Sequence, residues 1–199
     1  MRIRYQKLKG KEMLADKEGR LLGSVRRIHI DSKKKMVTGL VFKGKVMSGE
    51  RWCKVRGVTR VGEDVVYLAS MRMVIEDEAP GRDVKDLMGL PVTSLDGRRL
   101  GSLDDVVVDI KTWQLVGIVL DGGGVVEIGE QAVFGPDTIL LREGAGDEIE
   151  DAPAEQSGFL ARVFQGDAEP EPKKKKKTSP SPSRSRSRSR TKSTSRKKR

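Results

Sequence analysis

Apolar residues along the chain fall in short runs broken by glycine and charge, with no sustained helical period. Val25, Ile28 and Ile30 are spaced by polar neighbours, and Val37 to Phe42 forms a run rich in β-branched side chains. Such runs predict strands rather than helices. Asp96-Gly97 is a favoured tight-turn pair, Glu18-Gly19 is a weaker one, and Gly122-Gly123-Gly124 predicts a hairpin turn, as Gly44 does earlier. Gly39 and Gly117 fall inside predicted strands, where glycine marks a bulge, a bend or a close backbone approach.

The same pattern occurs twice. Gly19-Arg20-Leu21-Leu22-Gly23-Ser24-Val25 aligns with Gly97-Arg98-Arg99-Leu100-Gly101-Ser102-Leu103 at a spacing of 78 residues. That spacing also pairs Ile28-His29-Ile30-Asp31 with Val106-Val107-Val108-Asp109, and Val37–Phe42 with Leu115–Leu120. Gly62-Glu63-Asp64-Val65 matches Gly135-Pro136-Asp137-Thr138 at spacing 73, so the second copy is about five residues shorter in one loop. Four matching blocks indicate an internal duplication of a small β-domain. Strands that bend at glycine within so short a copy suit a small closed barrel, because closure removes exposed edges.

These motifs resemble the PRC-barrel family, whose pattern is a strand, a D-G-x-x-[LI]-G-x-V turn, an acid-ended strand, a G-[LI]-V strand and a final G-x-D-x-[IV]. Leu8–Met13, Gly19–Val25, Thr38–Val41 and Gly62–Val65 follow it in the first copy. Asp96–Leu103 follows it more closely in the second, since the first has Glu18 where the turn Asp belongs. The likeness covers about residues 7–75 and 86–145. It implies docking modules rather than catalysts, as in the photosynthetic reaction-centre H subunit and a ribosome maturation factor. The membrane helix of the former and the different N-terminal domain of the latter have no counterpart here.

Composition sharpens this picture through charge. The chain of 199 residues carries net charge +11, with only 4% aromatic residues and one cysteine. Residues 1–75 hold 19 Lys and Arg against 7 Asp and Glu, whereas 82–145 hold 6 against 11. Residues 146–172 have one base and eight acids, and 173–199 have fourteen bases and no acid. Charge is thus blocked along the chain and acts through partners more than through the fold. A lone Cys53 excludes an internal disulfide framework, no stretch reaches the ~20 apolar residues of a membrane span, and Met1–Tyr5 lacks a secretory apolar region. A cytoplasmic protein is expected.

The expected organisation is all-β: two tandem small PRC-barrel-like barrels over 1–76 (basic) and 82–145 (acidic), an acidic linker over 146–172, and a disordered basic tail over 173–199. The linker holds one apolar island, Phe159 to Phe164, spaced to form a helical turn that caps the second barrel or docks a partner. The tail has no apolar side chain except Pro180 and Pro182 to offset its ordering entropy. Its Lys173, Lys174, Lys175, Lys176, Lys177, Arg184, Arg186, Arg188, Arg190, Arg196, Lys197, Lys198 and Arg199 are the primary candidates for contacting nucleic-acid phosphate. Arg26, Arg27, Lys33, Lys34, Lys35, Arg56 and Arg60 of the first barrel are a second, weaker set. Arginine forks onto phosphate and stacks on unpaired bases, which favours RNA.

Catalytic patterns are sparse. His29, the one histidine, sits between Ile28 and Ile30 and faces away from their side of the strand. Cys53 reads as a packed strand residue, and no third group orients a His–Cys pair. Asp31 and Asp109 end equivalent strands, and Glu127, Glu130 and Asp137 lack a calcium-loop spacing. No catalytic residue, cofactor or metal is assigned. The expected function is a non-enzymatic adaptor whose barrels dock a protein or ribonucleoprotein while the tail holds nucleic acid. The alternative is a protein-only scaffold, or an adaptor at an anionic membrane surface, with the tail supplying solubility or lipid attraction. The sequence leaves the oligomeric state open.

Overall fold

Each half begins with a short strand and a single tight turn, because a polar or charged pair is followed by two apolar anchors. In the computed structural model, which describes residues 1–44 and 49–149, β1 (Arg2–Arg4) leads into α1 (Tyr5–Leu8), whose Tyr5 and Leu8 are buried. Alternating burial then gives β2 (Glu12–Ala15), the long β3 (Arg20–Asp31), β4 (Met36–Gly44) and β5 (Glu50–Lys54). The half ends with β6 (Val58–Val61), β7 (Val65–Leu68) and β8 (Val74–Ile75). The second half runs β9 (Arg82–Asp83), a 3-10 turn over Val84–Leu87, β10 (Pro91–Ser94), β11 (Arg99–Asp109) and β12 (Gln114–Leu120). It closes with β13 (Val125–Glu127), β14 (Val133–Phe134) and β15 (Ile139–Leu141).

The halves repeat one topology. In the first, β2 pairs antiparallel with β3, β3 with β4, β4 with β5 and β6 with β7, while β2 and β7 run parallel. In the second, β10, β11, β12 and β13 pair successively antiparallel, β14 pairs with β15, and β10 and β15 run parallel. The irregularities repeat as well. Register shifts fall between Val25 and Arg27 and between His29 and Ile30 of β3, and between Leu103 and Asp105 and between Val107 and Val108 of β11. Among the described residues the non-glycine residues with positive φ are Lys35 (53°) and Trp113 (60°), which are equivalent at the 78-residue spacing. Both close the tight turn between the two longest strands of their half, where left-handed backbone is otherwise costly.

The two halves are also stitched together. β1 pairs with β11 of the other half (Ile3 opposite Val108), and β9 pairs with β3 (Ile30 opposite Arg82). Beside them, the Val37 N–H donates to the Trp113 carbonyl and the Leu115 N–H to the Lys35 carbonyl, each at 2.8 Å. These reciprocal bonds define an approximate two-fold axis between the halves.

The described residues are mostly β, as expected, and their fifteen strands join in one large mixed sheet that links the two halves. Each long strand is covered by the first strand of the other half, so edge protection comes from exchange. In the first half β5 and β6 are joined by the 3-10 turn Val55–Gly57, and no ladder pairs them among the described residues. The main core is aliphatic and spans both halves, from Leu8, Met13 and Ile28 to Val106, Ile118 and Ile139, all fully buried. The predicted hairpin at Gly122–Gly124 joins β12 to β13. At Gly39 a Cβ would lie 2.7 Å from Cε3 of Trp52, so the glycine admits a close approach. The acidic linker from 150 onward, the apolar island at Phe159–Phe164 and the tail lie outside the described residues.

Candidate nucleic-acid interface

The N-terminal segment carries a cation at nearly every second position, and the fold turns it around one exposed corner. Arg2 and Arg4 lie on β1, Lys7 on α1, and Lys9 and Lys11 flank Gly10, whose φ of 90° lets the chain turn into β2. Burial of Tyr5 and Leu8 leaves Gln6 and Lys7 exposed. A groove of about 840 Å³ runs along this segment, lined by those five cations, by Glu12 and by the 61–64 turn with Glu63 and Asp64. Lys7, Lys9 and Lys11 form no ion pair among the described residues.

A second groove of about 650 Å³ shares Gln6, Lys9 and Gly10 with the first and continues to Arg26, Lys85, Met88 and Asp104. Arg26 is the residue skipped by the register shift in β3, and its side chain is exposed. Lys85 comes from the second half, so both halves contribute cations around the same turn.

The corner is held from behind by buried polar groups. Asp105, only 1% exposed, accepts the Val106 N–H at 2.8 Å and the Gln6 N–H at 3.4 Å, so a carboxylate of one half caps the helical turn of the other. Burial pushes its carboxyl up to about 6, against the downward pull of those N–H groups and of Arg4. The Tyr5 hydroxyl donates to the Arg26 carbonyl at 3.3 Å, and burial, with Asp83 and Asp105 nearby, pushes it up to about 12.

The first-barrel cations singled out by sequence lie at several places in the fold. Arg26 joins the second groove. Arg27 is engaged by Glu50 and, at 3.0 Å, by Asp83. Lys33 and Lys34 are exposed on a turn whose N–H groups donate to Asp31, and the Lys34 ammonium also lies 3.8 Å from that carboxylate. Lys35 donates to the Glu130 carbonyl across the two-fold axis. Arg56 is exposed on the 55–57 turn, and the Arg60 guanidinium stacks 4.0 Å over the Tyr67 ring. The tail candidates, Lys173 to Lys177, Arg184 to Arg190 and Arg196 to Arg199, lie outside the described residues. The grooves instead feature Arg2, Arg4, Lys7, Lys9, Lys11 and Lys85. Their only sequence signal is the alternation Arg2-x-Arg4 and Lys7-x-Lys9-x-Lys11.

Cys53 and His29 do not meet. Cys53 sits with Leu40 and Ile28 in the core and burial pushes its thiol up to about 12, whereas His29 faces the other side of β3. Among the described residues no group of three or more His, Cys, Asp or Glu is arranged to hold a metal ion, and no helix is long and apolar enough to cross a membrane.

Comparison with known proteins supports the fold reading in one half. No curated protein matches the chain. A family model described as the PRC-barrel domain matches residues 81–147, the span from β9 through β15, and not the first half. The chain therefore carries a PRC-barrel domain over residues 81–147.

Proposed function

We propose that this chain is a non-enzymatic binding protein that grips nucleic-acid phosphate, RNA in preference to duplex DNA, at its two basic ends. One end is the pair of grooves around Tyr5–Leu8, and the other is the Lys/Arg run from Lys173. The observation that carries the reading is the convergence of Lys7, Lys9 and Lys11 with Arg26 and Lys85 around one exposed turn, with no ion pair taking up the three lysines among the described residues. Uncompensated cations along a groove attract a polyanion by releasing its condensed counterions, without need of base readout. The fourteen bases of 173–199 add a second polyelectrolyte segment on the same chain. Deleting 173–199 is expected to weaken RNA binding and reduce its salt dependence without abolishing it, in a salt-titrated binding assay. Unchanged affinity would remove the tail from the proposal.

Residues 1–75 are, in this reading, a second and diverged copy of the PRC-barrel domain. Matching strand order, matching register shifts and the equivalent positive φ of Lys35 and Trp113 support that assignment. The acidic copy serves as the protein-docking half, supported by two exposed large apolar residues, Leu95 (54%) and Val133 (52%), the latter on edge strand β14.

A further inference from the structure

The repeated topology gives an internal control for the outer face of each half. In the first, Arg60 of β6 lies opposite Tyr67 of β7, and Tyr67 lies opposite Leu14 of β2. At the same places in the second, Val133 lies opposite Leu140, and Leu140 opposite Thr93. An aliphatic pair thus satisfies the fold where the basic half carries an aromatic ring and a guanidinium.

Val66 and Leu68 are buried, so Val65 and Tyr67 alternate with them towards the outside. The Arg60 guanidinium sits 4.0 Å over the Tyr67 ring, on an exposed side chain that forms no ion pair among the described residues. The ring covers one side of the guanidinium and leaves the other to solvent. A Cβ at Gly62 would lie 3.9 Å from Cε2 of Tyr67, and Gly62 lines the same groove as Lys7, Lys9 and Lys11. The ring therefore reaches the edge of the groove, with no side chain at position 62 between them.

The walls of this groove differ in sign. Lys7, Lys9 and Lys11 line one stretch, whereas Glu63 and Asp64, both exposed, line the turn between β6 and β7. Like charge keeps phosphate off that turn. A strand lying in the groove therefore sets its phosphates on the lysines and its bases towards β6 and β7.

On the footing of the phosphate-binding function proposed above, we infer that Arg60 and Tyr67 form a base-stacking subsite for single-stranded RNA. An unpaired base lies on the solvent side of the Arg60 guanidinium, and Tyr67 positions that plane from beneath. A planar cation backed by an aromatic ring accepts any base by its π-face, so the subsite selects unpaired strand rather than sequence.

The test compares two ligands of equal length and charge, an unstructured single-stranded RNA and its abasic ribose-phosphate counterpart, each titrated into full-length protein. The parent is expected to bind the base-bearing strand about tenfold more tightly. Arg60→Lys keeps the charge and removes the plane, and Tyr67→Leu installs the residue of the second half. Each is expected to lower that ratio at least threefold, while Tyr67→Phe retains it. Melting temperatures report the fold of each variant, and should Tyr67→Leu unfold, Arg60→Lys decides. A ratio unchanged in Arg60→Lys, or lost equally in Tyr67→Phe, would overturn the inference. A parent that binds both strands equally, with steep salt dependence, overturns the subsite and leaves the phosphate grooves standing. A parent that binds neither strand removes both.

Discussion

Arg27 of the first half holds Asp83 of the second at 3.0 Å, and at the equivalent place across the two-fold axis the charges are reversed, with Asp105 of the second half beside Arg4 of the first. Two first halves meeting in this way would oppose Arg27 to Arg4, and two second halves would oppose Asp105 to Asp83. The exchange of β1 and β9 is therefore matched to a tandem of unlike copies, since like charges in partly buried positions are strongly disfavoured.

Arg27→Ala is expected to destabilise the protein by about 1–3 kcal/mol, since Asp83 is only 7% exposed and would keep a buried carboxylate without its ion-pair partner. The exchanged pair Arg27→Asp with Asp83→Arg restores the attraction. Denaturant unfolding of the single and double variants measures the recovery, and a double variant no better than the worse single one contradicts a direct pairing.

Asp105 fixes the sign of one pH dependence. Its carboxyl is raised from 3.8 to about 6, so between those values the folded chain holds a proton that the unfolded chain has lost. Stability from this group is therefore full below pH ~4 and falls as pH rises to ~6, by about 3 kcal/mol in all. Asp105→Asn, which keeps an acceptor for the Val106 N–H, removes that contribution. The difference in melting temperature between variant and parent is expected to widen in the variant's favour from pH 4 to pH 7. A constant difference contradicts a carboxyl raised by burial.

Gly23 and Gly101 separate two costs at equivalent positions. Both have φ near 150° (152° and 144°), but a Cβ at Gly23 would lie 2.0 Å from the Lys43 carbonyl oxygen, whereas at Gly101 it would meet a side-chain oxygen of Asp121 at 2.8 Å. Backbone cannot yield as a side chain can. Gly23→Ala is expected to cost about 4 kcal/mol or more and Gly101→Ala about 1–3 kcal/mol, read from urea midpoints. Equal losses would mean that strain in φ alone governs both sites.

The repeat and the strands were legible because glycine, alternating apolar positions and turn pairs recur at fixed spacing through Gly19–Val25 and Gly97–Leu103. The exchange of first strands was not. β1 and β9 are three and two residues long and mostly charged, with no alternation to mark their partner, and tertiary pairing with Val108 and Ile30 decides their place. Sequence clusters such as Lys33-Lys34-Lys35 are conspicuous, yet the fold spends them on a turn and on a bond to Glu130. Lys7, Lys9 and Lys11 are spread along the chain and become one surface only through the Tyr5–Leu8 turn, while Arg26 joins them through a register shift that composition does not announce.

In the proposed function the corner around α1, and not the Lys33–Lys35 turn, is where the folded body contacts phosphate. It is tested most directly by the slope of log affinity against log salt for a single-stranded RNA, in full-length protein, Lys7→Glu/Lys9→Glu/Lys11→Glu and Lys33→Glu/Lys34→Glu. Each lost phosphate contact lowers the slope by about 0.7 for a single strand. The triple variant is expected to lose about two units of slope, with more than tenfold weaker binding at moderate salt and an unchanged melting temperature. The Lys33/Lys34 variant is expected to stay within twofold of the parent. Equal losses in the two variants, or none in the triple variant, would contradict the account.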